Sequence, residues 1–153
     1  MILYRFSRKE WGGDLSGKGA ELYGGRWNSK GVPALYCSET RALAITEIIA
    51  YTPPGFIPEG YVLNIIEAPD RASFTHTITH DSLPAGWNRY PHGKETKAIG
   101  DSLLKEQKYL LLKVPSAMVQ DEHNYLINPL HPDFKQIKLL EVLPFNFNER
   151  LFK

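Results

Sequence analysis

Three residues within one short window have side chains that can share a reaction: Arg26, then Tyr36 ten residues on, then Glu47 eleven further. A guanidinium grips anionic oxygens through a planar fork of N–H groups. A tyrosine ring stacks on flat groups, and its hydroxyl donates or accepts a hydrogen bond. A carboxylate stabilises positive charge that develops in a transition state. Together they suit a substrate that carries anionic groups at one end and becomes cationic at the other. Arg26 follows Gly24 and Gly25, where the backbone can turn tightly and let a ligand approach.

Glu47 stands out because of its neighbours. From Ala42 to Ala50 the chain reads A-L-A-I-T-E-I-I-A. At ~100° per residue, Glu47 shares a face with Leu43, Ala44, Ala50 and Tyr51. Ala42, Ile45 and Ile49 take the opposite face, so no side is plainly the solvent side. A charge inside such a helix needs a partner, water or a ligand. Three readings are open: an exposed carboxylate where the helix emerges, a buried structural ion pair, or a functional group lining a cleft.

Stepping from these residues to the elements that must hold them, "ALYCS" (34–38) reads as a short strand carrying Tyr36. Ser38 is the expected cap of a helix from Glu39 to Tyr51, ended by Pro53 and Pro54. Turn, strand and helix then bring Arg26, Tyr36 and Glu47 together if the helix packs back across the strand. Elsewhere, strands are expected at 2–6, 60–68, 72–79, 109–115, 124–129 and 137–147. A second helix is expected at 96–107, from the spacing of Ile99, Leu103 and Leu104. Residues 7–25 and 82–94 read as loops, with a short turn at 20–23. Helices interleaved with short strands point to an α+β fold, not a regular βαβ chain.

Composition narrows the function classes. A chain of 153 residues, 42% hydrophobic and 12% aromatic, fits one folded domain over residues 1–153. Eighteen Lys and Arg against 17 Asp and Glu give a net charge of +1, too little to steer the protein onto nucleic acid or anionic lipid. No 18-residue apolar run is present, and Cys37 is the one cysteine. A soluble cytoplasmic protein without membrane spans or a disulfide framework is expected. There is no G-x-G-x-x-G after a strand, so a Rossmann dinucleotide site is not expected. "GDLSGKG" lacks the spacing of a phosphate-binding P-loop. Cys37 reads as a packed small residue. His76 and His80 lack a third ligand, so no metal site is expected.

The motifs also carry a family resemblance. "GGRWNSKGVPALYCSETRALAITE" and "LLLKVPSAMVQDEHNYLINPLHPDF" resemble separate blocks of the RES domain, the toxin half of RES–Xre toxin–antitoxin pairs. Arg26, Glu47 and Ser116 match the Arg, Glu and Ser that name the family. "LPAGWNRYPHGKETKAIGDSLLKE" and "PFNFNERLF" resemble its middle and end, so the likeness covers almost the whole chain. It implies a compact α+β domain similar to ADP-ribosyltransferases. It further implies an enzyme with NAD⁺ as substrate and no other cofactor, which cleaves the nicotinamide–ribose bond. The acceptor is then water or phosphate, or alternatively a protein; a non-catalytic nucleotide-binding module is the third reading. The implied partner is an Xre-type antitoxin that blocks the cleft, with a homodimer as a further expectation. On this reading Glu47 stabilises an oxocarbenium-like ribose. Arg26 holds pyrophosphate or the ribose side, Tyr36 stacks on nicotinamide or fixes the ribose, and Ser116 makes a close sugar or amide contact. Arg5 and Asn124 are further substrate-binding candidates by their place in the matching blocks.

Overall fold

The computed structural model describes residues 1–153. Seven strands form one mixed sheet: β1 (Ile2–Arg8), β2 (Leu35–Ser38), β3 (Tyr61–Glu67), β4 (Thr75–Thr77), β5 (Leu111–Pro115), β6 (His123–Ile127) and β7 (Lys138–Phe145). Their order across the sheet is β4-β5-β6-β2-β1-β3-β7. All neighbours are antiparallel except β4 and β5. Three helices complete the α+β fold: α1 (Lys18–Tyr23), α2 (Arg41–Ala50) and α3 (Lys94–Glu106).

Strand periodicity of two divides the side chains between two sheet faces. On one face Leu3, Leu35, Cys37, Ile66, Leu111, Tyr125 and Ile127 share a buried core. On the other, two cores lie side by side. Trp27, Leu104, Leu112, Val114 and Leu126 form one, with Leu104 brought by α3. Phe6, Ala44, Leu63 and Ile65 form the second, with Ala44 brought by α2. The two helices thus cover one face from two sides, and a cleft lies between them. Cys37 is buried, as its reading as a packing residue requires, and burial pushes its thiol pKa up to about 12.

Several element boundaries differ from expectation, for local reasons. Ser38 does not cap α2. It ends β2, and its hydroxyl is drawn to Asn124 across the sheet at 2.7 Å. Thr40 caps instead, its side chain accepting the Leu43 N–H at 3.0 Å, so the helix starts two residues later, at Arg41. The expected strand 72–79 begins as a 3₁₀ turn, Ala72–Phe74, before β4 pairs with β5. Within the loop expected over 7–25, Lys18–Tyr23 is helical.

Candidate active site

The cleft between α2 and α3 has a volume of about 680 Å³, within the range of roughly 300–1,000 Å³ typical of small-molecule sites. Arg26, Tyr36, Glu47, Asn124 and Arg5 line it, and Ser116 lies between the lining residues Pro115 and Ala117.

Glu47 sits half-buried in the middle of α2 and has no cation within salt-bridge distance. Neither the exposed reading nor the ion-pair reading describes it. Two neutral donors hold it. Ser116 Oγ donates to Glu47 Oε1 at 2.9 Å, and Asn124 Nδ2 donates to the same oxygen at 2.7 Å. Oε2 takes no hydrogen bond from the protein. Both donors come from the sheet: Asn124 from β6, Ser116 from just past β5. The sheet therefore fixes a carboxylate that a separate helix presents.

Ser116 is committed within the protein. Its hydroxyl accepts the Met118 and Val119 N–H groups, each at 3.1 Å, and spends its proton on Glu47. With one proton and two lone pairs, the side chain is fully used. It is also only 5% exposed. The geometry makes Ser116 a positioning group for Glu47, in place of the sugar contact expected from its size.

Arg26 lines the same cleft, and both its charge and that of Glu47 act on Tyr51. Although buried, it has no carboxylate partner. Its Nη1 donates to the carbonyls of Trp87 at 2.8 Å and Arg89 at 2.9 Å. Those dipoles orient the guanidinium without cancelling its charge. The loop expected over 82–94 thus braces the arginine, and its next residues, Tyr90, Pro91 and His92, line the cleft.

Tyr36 supports the turn that presents Arg26. Its hydroxyl donates to Asn28 Oδ1 at 2.6 Å and accepts the Trp27 N–H at 3.0 Å. A Cβ at Gly25 would come within 2.7 Å of this hydroxyl, so only glycine lets the turn lie so close. Asn28, wholly buried, donates to the carbonyls of Ala20 and Val32, both at 2.8 Å. Helix α3 clamps the turn from outside: Asp101 accepts the Ser29 N–H at 2.8 Å, and a Cβ at Gly100 would overlap the Trp27 carbonyl. Burial raises the Tyr36 phenol pKa well above its usual range, so it stays protonated and can donate to Asn28. Only the Tyr36 ring is left to face a ligand.

Arg5 is set apart. Strand alternation places its side chain with Leu3 and Ser7, on the face opposite Tyr36, Ser38 and Asn124. Its charge acts on Asp14 and on buried Cys37, helping to lower the Asp14 pKa. Arg5 thus shares the lining of the cleft with Glu47, while its side chain starts from the opposite face of the sheet.

Tyr51, Tyr90 and His92 also line the cleft, although the motifs did not point to them. Their rings meet edge to face, with centroids 5.8 Å apart for Tyr51–Tyr90, 5.9 Å for Tyr51–His92 and 5.3 Å for Tyr90–His92. One signal was legible: Tyr51 lies four residues after Glu47, on the same helix face. Nothing in the spacing of Tyr90 and His92 brings them to that helix. The His92 pKa is lowered to about 4, first by burial and then by the nearby charges of Arg26 and Lys97. The imidazole is neutral near pH 7.

Sequence comparison bears directly on this arrangement. The family model described as the RES domain matches residues 2–148. A protein named Prs ADP-ribosylating toxin from Sphingobium sp. (strain YBL2) is 39% identical over 92% of this chain and 88% of its own length. A Toxin Res from Photorhabdus laumondii subsp. laumondii is 34% identical over 100% of this chain and 98% of its own. In three dimensions, a chain of the M. tuberculosis MbcT–MbcA toxin–antitoxin complex superposes with a TM-score of 0.73. It is 19% identical and is matched over 99% of this chain and 86% of its own, a likeness of fold. The blocks around Arg26, Glu47 and Ser116 thus lie inside a match that runs nearly end to end, and the chain belongs to the RES domain family.

Proposed function

We propose that this protein is the toxin enzyme of a toxin–antitoxin pair, and that it cleaves the nicotinamide–ribose bond of NAD⁺. The observation that carries this reading is the carboxylate of Glu47. It is pinned through one oxygen only and shares a cleft with a buried arginine that has no countercharge.

Nicotinamide in NAD⁺ is already cationic. When its bond to ribose C1′ breaks, the electron pair stays on the ring nitrogen and nicotinamide departs neutral, so no general acid is needed. Positive charge then spreads over C1′ and the ring oxygen of the ribose. Glu47 stabilises that charge through Oε2, directly or through a ribose hydroxyl. Arg26 holds the pyrophosphate with charge-assisted hydrogen bonds. Tyr36 holds the Arg26 turn and offers its ring. Ser116 and Asn124 aim Glu47. NAD⁺ is substrate here, and no metal or further cofactor enters the scheme.

An acceptor oxygen then bonds to C1′ and loses its proton. With water or phosphate as acceptor, the enzyme depletes NAD⁺. A protein acceptor is the second reading, and it is favoured by the name of the Sphingobium relative, an ADP-ribosylating toxin. The bond cleavage and the site are the same in both. An antitoxin would hold such an enzyme in check by covering the cleft, and the structural neighbour comes from a toxin–antitoxin complex. The family resemblance makes the Xre type the expected one.

Incubating the purified protein with NAD⁺ tests the reading. Free nicotinamide should appear, and the ADP-ribose half should be found free, joined to phosphate, or attached to protein when each acceptor is supplied. Intact NAD⁺ under all three conditions would overturn it.

A further inference from the structure

Lys97 has no role in the scheme above, yet it lines the same cleft as Arg26 and Glu47. It lies on α3, half-buried, between the buried residues Thr96 and Gly100. Gly100 lets the helix press against the Trp27 carbonyl, and Asp101 accepts the Ser29 N–H at 2.8 Å. These contacts fix the base of the Lys97 side chain relative to the turn that presents Arg26. The tip reaches that turn as well: a Cβ placed at Gly24 would lie 3.6 Å from Lys97 Nζ. No carboxylate lies within salt-bridge distance of the ammonium. Glu47 is the one acidic residue lining the cleft, and Asp101, one turn along α3, is engaged by Ser29. The charges of Lys97 and Arg26 both bear on the His92 imidazole, which also lines the cleft.

Two cations brought to one glycine turn without a countercharge repel each other, and this opposes folding. A ligand that brings two negative charges to that spot relieves the repulsion as it binds. The pyrophosphate of NAD⁺ carries two, one on each phosphate. Arg26 already engages Nη1 with the Trp87 and Arg89 carbonyls, which leaves its other N–H groups for a single phosphate. A lysine ammonium is a compact point charge with three rotatable donors and needs no fixed fork. It suits the second phosphate.

We infer that Lys97 is a further substrate-binding residue: its ammonium takes one phosphate of the pyrophosphate while Arg26 takes the other, and the pair sets a preference for substrates that carry both. This rests on the reading of the cleft as an NAD⁺ site. Lys97 takes no part in breaking the bond. Its charge is felt where the substrate is held, so it governs which nicotinamide ribosides are held well.

The test compares wild type, Lys97→Met and Lys97→Arg in the full-length protein, with two readouts. The first is calorimetric titration with ADP-ribose, which carries the pyrophosphate and requires no turnover. Lys97→Met, similar in length and uncharged, should weaken ADP-ribose about tenfold, the low end for a charge-assisted hydrogen bond because the lysine is half-buried. Lys97→Arg, which keeps the charge, should stay within about threefold of wild type. The second readout is nicotinamide release from NAD⁺ and from nicotinamide riboside, which has the same scissile bond and no phosphate. The ratio of kcat/KM for NAD⁺ to that for the riboside should fall about tenfold in Lys97→Met and recover in Lys97→Arg. Should Lys97→Met not fold, Lys97→Gln takes its place. Wild-type ADP-ribose affinity in the uncharged variant would overturn the inference. So would an unchanged substrate ratio, which marks a structural lysine, or a folded Lys97→Arg as weak as the methionine variant. If the wild type released no nicotinamide from NAD⁺, the proposed reaction would fall, while ADP-ribose binding would still decide the part of Lys97. A wild type that bound no ADP-ribose would overturn both.

Discussion

Arg26 and Glu47 are both charged and both withdrawn from bulk solvent, yet neither has an opposite charge beside it. A buried charge costs several kcal/mol unless something compensates it. For Glu47 the compensation is two neutral donors on one oxygen; for Arg26 it is two backbone carbonyls on one nitrogen. Each leaves part of the charged group uncommitted. That is a poor way to stabilise a fold and a good way to hold a ligand that is anionic at one end and becomes cationic at the other. Lysine cannot reproduce the arrangement at position 26, because its single ammonium cannot keep both carbonyls and also offer a fork to substrate. Arg26→Lys should therefore raise KM for NAD⁺ about tenfold or more in steady-state kinetics. Unchanged kinetics would mark Arg26 as structural. The sequence made both residues visible, Glu47 by its misfit in an apolar helix and Arg26 by its glycines. It did not show that Ser116 spends its hydroxyl on Glu47 and its own turn, because that depends on where residues 116–119 lie beside α2.

The elements owe their arrangement to a few contacts of long sequence separation. The Arg26 turn is built over β2 and clamped by α3. The Tyr36 hydroxyl is the central bolt between turn and strand. Tyr36→Phe strips a partner from both the Trp27 N–H and the Asn28 side chain. Leaving such buried groups unsatisfied costs about 1–3 kcal/mol. The variant should unfold at correspondingly lower denaturant and bind NAD⁺ more weakly, because Arg26 is no longer held. A wild-type denaturation midpoint would show that the hydroxyl carries no such load. At this scale the sequence was legible where one element dominates its own pattern. Strand β3, a nearly continuous apolar run, and helix α3, with Ile99, Leu103 and Leu104 at helical spacing, lie close to their expected places. It was less legible where two neighbours compete for one side chain. Ser38 is a good helix cap in isolation, and the sheet outbids the helix for it through Asn124, 86 residues away. The segment 82–94 gave only turn residues to read, so its two carbonyls on Arg26 and its aromatic contribution to the cleft were hidden.

Across the whole molecule, the near-zero net charge conceals a cleft lined by charges of both signs, Glu47 on one hand and Arg26 and Lys97 on the other. His92 lines this cleft, and burial first, then the charges of Arg26 and Lys97, disfavour its protonation. Its native pKa lies near 4 against 6.5 in the ordinary case. Above pH 6.5 neither the native nor the unfolded chain protonates it. Between 6.5 and about 4 the unfolded chain takes up the proton and the native protein does not. Stability therefore falls as pH falls through that window and levels off below it. Replacing the imidazole with the neutral amide of His92→Gln should remove this part of the slope from urea midpoints measured between pH 7 and 4. The same slope in wild type and variant would contradict the assignment. The proposed antitoxin acts on the same surface. If it covers the cleft, a preformed complex should show no heat of NAD⁺ binding on calorimetric titration, and an undiminished NAD⁺ affinity would place its contact elsewhere.

The reaction itself stands or falls on Glu47. The decisive measurement is nicotinamide release by wild type and Glu47→Gln, each folded and each titrated with NAD⁺ by calorimetry. Glutamine keeps the shape of the side chain and removes the charge that stabilises the ribose cation. The turnover number should fall about 10²- to 10³-fold, with NAD⁺ affinity within about threefold of wild type, because the charge matters chiefly in the transition state. A Glu47→Gln protein that releases nicotinamide at the wild-type rate would contradict the proposed chemistry.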